Sequence, residues 1–290
     1  MAKGKTIGNP LSWAAKAAGS GSTYIGEGTS ELGSHDTAPI ELNDLSFDDL
    51  RTALKKGAED FMALRTDVVF VVLIYPIIGL LLIWAAVNRE VLPLVFPMIT
   101  GFAILGPVAA IGLYEMSRRR EQGLETNIGD AFGVMGSPSF VPIVVLGCYL
   151  AFLFAMWLVV AWFLYGVTLG PEPPQSASAL IGDVFTTGSG WVMLILGSGI
   201  GFIFAVAALA MSLVSFPLLI DRHVGLTRAV VTSATIARRN PVEVAAWGAI
   251  VVAMLVLGVA TLFIGMIIVL PILGHATWHL YRCAVARRPR

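Results

Sequence analysis

Residues 141–167 run for 27 positions without a charged side chain, and the stretches 68–87, 91–115 and 191–220 are charge-free through their middles. About 20 helical residues cross the ~30 Å of hydrocarbon in a bilayer. Inside hydrocarbon the backbone must satisfy its own hydrogen bonds, which leaves the helix as the natural form for such runs. The rest of the composition agrees. Of the 290 residues, 57% are hydrophobic and 13% are charged, and the mean hydropathy is +0.81. Ordinary soluble domains carry about 25% charged residues. A formal net charge of zero argues against nucleic acid as a partner.

A fifth apolar stretch, 242–283, is 42 residues long. As a single helix it would extend about 63 Å, twice the membrane thickness. Gly258, Thr261 and Gly265 in its middle suit a tight turn between two helices. Lys and Arg gather on the cytoplasmic side of short loops. With six spans and the N-terminus inside, that side holds Arg51, Lys55, Lys56 and Arg65, then Arg118–Arg120, Arg222, Arg228, Arg238 and Arg239, and finally Arg282, Arg287, Arg288 and Arg290. The outer loops hold only Arg89. Five spans would put the C-terminal arginines outside, so six spans with both termini in the cytoplasm is the expectation.

Each pair of spans follows an amphipathic segment. In "SFDDLRTALKKGAEDFMALR" the residues Phe47, Leu50, Leu54 and Phe61 form a helical stripe, and Ser46 with Asp49 resembles a capping box. "NIGDAFGVMGSP" and "LTRAVVTSATIARRNP" follow the same plan, the latter with Leu226, Ala229, Val230 and Ile236 on one side. Gly123-Leu124 aligns with Gly225-Leu226, and Pro107…Arg118 aligns with Pro271…Arg282. The expected fold is therefore all-α: a polytopic transmembrane bundle of six spans arranged as three helical hairpins, each preceded by an amphipathic helix on the cytoplasmic face. Its repeat units are about 45–120, 123–222 and 225–290. Residues 1–44, Gly/Ser-rich and without periodicity, read as a disordered tail. Gly197 and Gly201 form a GxxxG suited to close helix packing.

Chemistry-bearing residues are few. His275 and His279 stand four apart, on one face of a helix. Such a pair can share a metal or bind haem, but a zinc site needs further ligands. Beside Trp278 and Tyr281, the pair reads more simply as interfacial anchoring or interhelix hydrogen bonding. Asp67, Glu115, Arg118, Asp221, Arg222 and His279 mark the polar ends of spans and form a candidate cytoplasmic-face cluster. No catalytic, cofactor-binding or metal site is expected beyond the weak candidates His275 and His279. Cys148 and Cys283 read as reduced thiols.

"GPVAAIGLYEMSRRRE", "FPLLIDRHVGLTRAVVTSATIARRNP" and "LPILGHATWHLYR" resemble a family of bacterial integral membrane proteins of unknown function, often labelled cytochrome c oxidase subunit I-like. The likeness covers roughly residues 46–286 and implies a multi-span inner-membrane protein, with no activity to carry over. The oxidase label implies more histidine ligands than this chain's four, His35, His223, His275 and His279, can supply. The favoured role is non-enzymatic: an accessory or structural protein for a larger membrane complex or for lipid organisation, with membrane lipids and such a complex as partners and no cofactor. A small-solute or ion transporter or channel is the alternative. For that reading Pro76, Pro97, Pro107, Pro217 and Pro271 are possible helix breaks.

Overall fold

The computed structural model describes residues 39–87, 90–262 and 264–287; for 65–78, 81–83, 85–86, 102 and 128 it describes the backbone alone. The tail expected over 1–44 lies outside the described residues as far as 38, together with His35. Arg89, Arg288, Arg290 and the side chains of Arg65 and Asp67 lie outside them as well.

Ten α-helices fold without a named strand among the described residues. The first, α1 (Phe47–Ala86), is 40 residues long, about 60 Å at the usual rise. It joins the amphipathic segment and the first expected span in one continuous rod, where the sequence reading expects a separate surface helix. Its start is fixed by the expected capping box: Asp49 N–H donates to Ser46 Oγ at 3.2 Å, and Ser46 N–H donates to Asp49 Oδ2 at 2.9 Å.

The 92–109 run bends by 46°. It comprises a short 3-10 turn and α2 (Val95–Ala109), with α3 (Ile111–Glu121) following Ala110. Pro107 lies one turn after the 46° bend between Gly101 and Ala103, where its missing N–H leaves the Ala103 carbonyl without its helical donor. Next come a 3-10 segment (Ile128–Gly136), α4 (Phe140–Thr168), the short α5 (Ala177–Thr186), α6 (Gly188–Ser212) and α7 (Ser215–Asp221). The chain ends with α8 (Leu226–Arg239), α9 (Pro241–Ala260) and α10 (Met266–Ala284). Pro217 lies in the first turn of α7, just after the α6–α7 break, whereas Pro271 sits inside α10 without interrupting it.

Between α9 and α10 the expected turn exists. Gly265 N–H donates to Thr261 Oγ1 at 2.8 Å, and Leu262 takes the left-handed φ of 54°. Gly258 leaves room for Met266, whose sulfur would lie 2.7 Å from an added Cβ. Gly123 and Gly225, aligned in the sequence, share left-handed backbone at φ 73° and 77°.

Among the described residues, three helices are long and apolar enough to cross a membrane: α4, α6 with α7 (Gly188–Asp221), and α9. The bent 92–109 pair makes four if it counts as one span. Six spans are thus not reached among the described residues. The second half of α1 carries undescribed side chains, and α10, which returns from the far end of α9 to the cap, has Pro271, Leu273–Ala276, Trp278, Leu280, Tyr281 and Ala284 buried against protein while Ile268 near its start is exposed. The burial of its second half by protein is why polar residues are tolerated there. The three spans are the opposite: only 22%, 6% and 17% of their apolar windows are buried by the chain itself. That much uncovered hydrocarbon calls for a bilayer.

Within the apolar part, Trp157 of α4 joins three helices. Its Nε1–H donates to the Pro97 carbonyl at 3.0 Å. A Cβ added at Gly201 would lie 3.0 Å from the indole, one at Gly101 3.1 Å from it, and one at Gly197 3.4 Å from Leu164. The GxxxG therefore serves close packing of α6 on α4. Trp157→Ala should destabilise the detergent-solubilised protein by about 3–5 kcal/mol. Trp157→Phe should cost less, about 0.5–1.5 kcal/mol for the lost hydrogen bond together with a small packing loss. Thermal unfolding measures both, and equal losses would contradict the assigned hydrogen bond.

The tightest part of the molecule is a polar-ended cap formed by the first half of α1 with α3, α7, α8 and α10. Antiparallel α1 and α10 pair along their length: Leu42 bridges Val285, and Gly57 meets Ala276. Asn43 N–H donates to the Ala284 carbonyl and Ala286 N–H to the Glu41 carbonyl, each at 3.0 Å. Residues 41–44, expected in the tail, thus belong to the folded unit. Leu50, Ala53, Gly57, Asp60 and Leu64 form the buried face of α1, while Phe47 of the expected stripe stays exposed. On α8 the buried face is Ala229, Thr232, Ser233 and Ile236. Ser233 lies inward because its Oγ accepts from the Val214 N–H freed at the α6–α7 break.

Candidate functional site

The centre of the cap is one carboxylate. Asp60 lies on the buried face of α1, a turn beyond Gly57, at 4% exposure. α3 brings Ser117 and Arg120 to it, and α10 brings His279. Ser117 Oγ–H donates to Asp60 Oδ2 at 2.5 Å, His279 Nε2 lies 2.8 Å from the same oxygen, and Arg120 Nη1 pairs with Oδ1. Ser117 also touches His275 Nδ1 at 2.7 Å. His275 is fully buried, and its Nε2 has no hydrogen-bond partner.

Burial alone would raise the Asp60 carboxyl. Hydrogen bonds from His279 and Ser117, with the charges of His279 and His275, outweigh it and hold the carboxyl below its ordinary value. A carboxyl whose folded pKa is the lower one adds stability that is complete above its unfolded pKa, about 3.9, and is lost as pH falls through the folded value. Thermal melts of wild type and Asp60→Asn should therefore differ most near neutrality and converge below the ordinary Asp range. A gap unchanged down to pH 3 would contradict the pairing.

Around this centre lies a ring of ion pairs. Arg282 reaches Asp221 Oδ2 at 3.1 Å and Glu121 at 3.2 Å, tying α10 to both α7 and α3. Tyr281 O–H donates to Asp221 Oδ2 at 2.6 Å, and Trp278 Nε1–H donates to Glu121 Oε2 at 3.2 Å. Arg287 also pairs with Glu121, and Arg222 Nη2 donates to the Ala286 carbonyl at 2.5 Å. Glu115 and Arg118 form a two-pronged pair at 2.7 Å. The hydrogen-bonded Glu115, and beyond it the Asp221 charge, raise the Arg118 guanidinium above its usual value.

Of the expected cluster, Glu115, Arg118, Asp221 and Arg222 share one polar end of the molecule, the Asp67 side chain lies outside the described residues, and His279 pairs with Asp60. Asp60, Ser117, Arg120 and Glu121 are additions. One signal pointed to Asp60: the spacing Leu50, Ala53, Gly57, Asp60, Leu64 sets a carboxylate on an otherwise apolar helix face.

His275 and His279 do share a helix face, yet they do not converge, because His275 reaches Asp60 only through Ser117. Among the described residues no group of three or more His, Cys, Asp or Glu side chains is placed to hold a metal. Ser117, His275 and Asp60 are the residue types of a nucleophilic triad, but the order is different: Ser117, not the imidazole, stands in the middle. Ser117 is also buried at 1% exposure, closed to a substrate. What such a chain can do is hold and pass a proton.

A family model described as "Predicted integral membrane protein (DUF2189)" matches residues 95–221, from α2 through α7. That portion is similar to a membrane protein family of unknown function, and the match carries no oxidase description. No curated protein and no solved structure matches the chain.

Proposed function

We propose that this integral membrane protein resides in the bacterial inner membrane, multi-pass, with both termini in the cytoplasm, and acts as a non-enzymatic accessory or structural component. Its apolar helices anchor the cap and offer lateral surface to lipid or to the helices of a larger complex. The supporting observation is the contrast in burial: the spans' apolar windows are only 6–22% covered by their own chain, whereas the cap that carries them is packed and stapled by ion pairs. A rigid cap on loosely covered spans fits a scaffold that partner helices complete. The three-unit organisation belongs to the same reading. It is supported by the positive φ that Gly123 and Gly225 share and by the packing of α3, α7 and the C-terminal half of α10 on one another.

The test is isolation of the full chain in native-lipid particles, followed by native mass spectrometry. A stoichiometric membrane partner or a fixed complement of retained lipid is the expected result. A bare, partner-free chain that keeps its fold in mild detergent would contradict the role.

The transporter reading draws support from a different feature, the buried Asp60–Ser117–His275 chain. Solute or ion flux in proteoliposomes that is lost in Pro107→Ala or Pro217→Ala would favour it over the accessory role.

A further inference from the structure

We propose that α5 is an interfacial helix, docked lengthwise on the lipid leaflet opposite the cap, with Ile181, Phe185 and Trp191 set among the acyl chains. This goes beyond the accessory role and does not depend on it. The segment "SASALIGDVFT" places Leu180, Ile181, Val184 and Phe185 on one broad apolar side of a helix. Asp183, two positions from Ile181 and from Phe185, stands on the opposite side. Ser176 starts the helix, its Oγ accepting from the Ala179 N–H at 3.1 Å.

α6 covers only part of that apolar side. Leu180 and Val184 are half-buried, and a Cβ added at Gly190 would lie 2.5 Å from the Val184 Cα, so the two helices meet backbone to backbone. Ile181 and Phe185 stay more than half exposed. Trp191 of α6 extends the patch: it is exposed and stands edge-on to Phe185, with ring centroids 6.3 Å apart. From Trp191 the same helix face continues along α6 through the exposed Ile195 and Phe202, in a span whose apolar window is only 6% buried. The bilayer that covers this span therefore reaches Phe185 and Ile181 without a break.

The end of α5 is built for a medium poor in water. Thr187 Oγ1–H donates to the Asp183 carbonyl at 2.6 Å, and the same oxygen accepts from the Gly190 N–H at 2.9 Å. Trp191 Nε1–H donates to the Phe185 carbonyl at 3.1 Å. These last-turn carbonyls, which water serves on an ordinary surface helix, are served by the chain itself. Trp84 is exposed at the end of α1 remote from the cap, so a second indole stands where headgroup layers favour amphipathic rings.

The ligand is the acyl boundary, not headgroup charge. Residues 168–190 hold Glu172 and Asp183 and no Lys or Arg, so α5 offers no cation to an anionic lipid.

Nitroxide labels on Ile181→Cys, Phe185→Cys, Asp183→Cys and Thr186→Cys, one at a time in the full-length Cys148→Ala, Cys283→Ala protein, test this in phosphatidylcholine nanodiscs. All four positions are exposed, so the label leaves the packing intact. Oxygen concentrates among acyl chains and a nickel chelate in water. The expected result is an oxygen-to-nickel relaxation ratio several-fold higher at 181 and 185 than at 183 and 186, unchanged on adding phosphatidylserine. Equal access of nickel to all four would overturn the proposal, because α5 would then stand in water. Positions 181 and 185 closed to both reagents would also overturn it, since a second copy or another protein would then be the cover. A contrast that appears only with phosphatidylserine would contradict the acyl contact. Each of these failures leaves the accessory role standing, because that role is read from retained partners and lipid.

Discussion

Asp60→Ala should lower the stability of the detergent-solubilised protein by about 3–5 kcal/mol, the usual cost of removing one partner from a buried ion pair. The loss exceeds that of a surface pair, about 0–1 kcal/mol, because the carboxylate answers three donors at once. Without it, Arg120, His279 and the Ser117 hydroxyl are left in a site where Asp60 itself is 4% exposed. Asp60→Asn retains a carbonyl acceptor but places an NH₂ against one of those donors, so it should fall between wild type and Ala. Denaturant or thermal unfolding followed through tryptophan fluorescence reports the change, since Trp278 is buried in the same cap. A loss under about 1 kcal/mol would mean that Asp60 behaves as a surface charge.

Gly57 gives the second large effect, and here the sign is diagnostic. In an uncrowded helix, Gly→Ala stabilises by about 0.5–1 kcal/mol, because glycine is the costlier residue to order. At Gly57 an added Cβ would lie 2.6 Å from the Ala276 amide nitrogen and 2.7 Å from its Cβ. Backbone of α10 cannot swing aside as a flexible side chain would, so the two helices must part. Gly57→Ala should therefore destabilise, by about 1–3 kcal/mol for overpacking, and Gly57→Leu more. Parting α1 from α10 also stretches the His279–Asp60 contact one turn away. Ala276→Gly should recover part of the Gly57→Ala loss, and a double-mutant cycle measures that coupling. A stabilised Gly57→Ala would contradict the close approach.

The apolar framework was legible because hydrocarbon imposes a rule that needs no knowledge of tertiary contacts: long charge-free runs form helices. The Ser46–Asp49 cap, the Thr261–Gly265 turn and the Gly197–Gly201 packing site were legible for a similar reason, since each is decided within a few residues. The cap was not. Hydrophobic periodicity names a helix's buried face but not what covers it, so the segment 46–65 read equally well as a membrane-surface helix. α10 read as a span because its first half is apolar, and only the enclosure by α1, α3 and α7 shows why its second half tolerates two histidines and an arginine. Asp60 and His279 meet across 219 residues of sequence, and no local spacing rule reaches that far. The same holds within the expected cytoplasmic-face cluster, where side-chain direction and not spacing assigns Glu115 to Arg118, Asp221 to Tyr281 and Arg282, and His279 to Asp60.

The central claim is that charge-free helices traverse the bilayer and leave the ion-paired cap on one flank. Single-cysteine labelling with a membrane-impermeant maleimide, in a Cys148→Ala, Cys283→Ala background, tests it most directly. Gln122→Cys and Arg287→Cys should react from one side of sealed membranes, the cytoplasmic side, and Gln175→Cys in the α4–α5 connection only from the other. Reaction of positions 122 and 175 from the same side, or of 122 and 287 from opposite sides, would contradict the account.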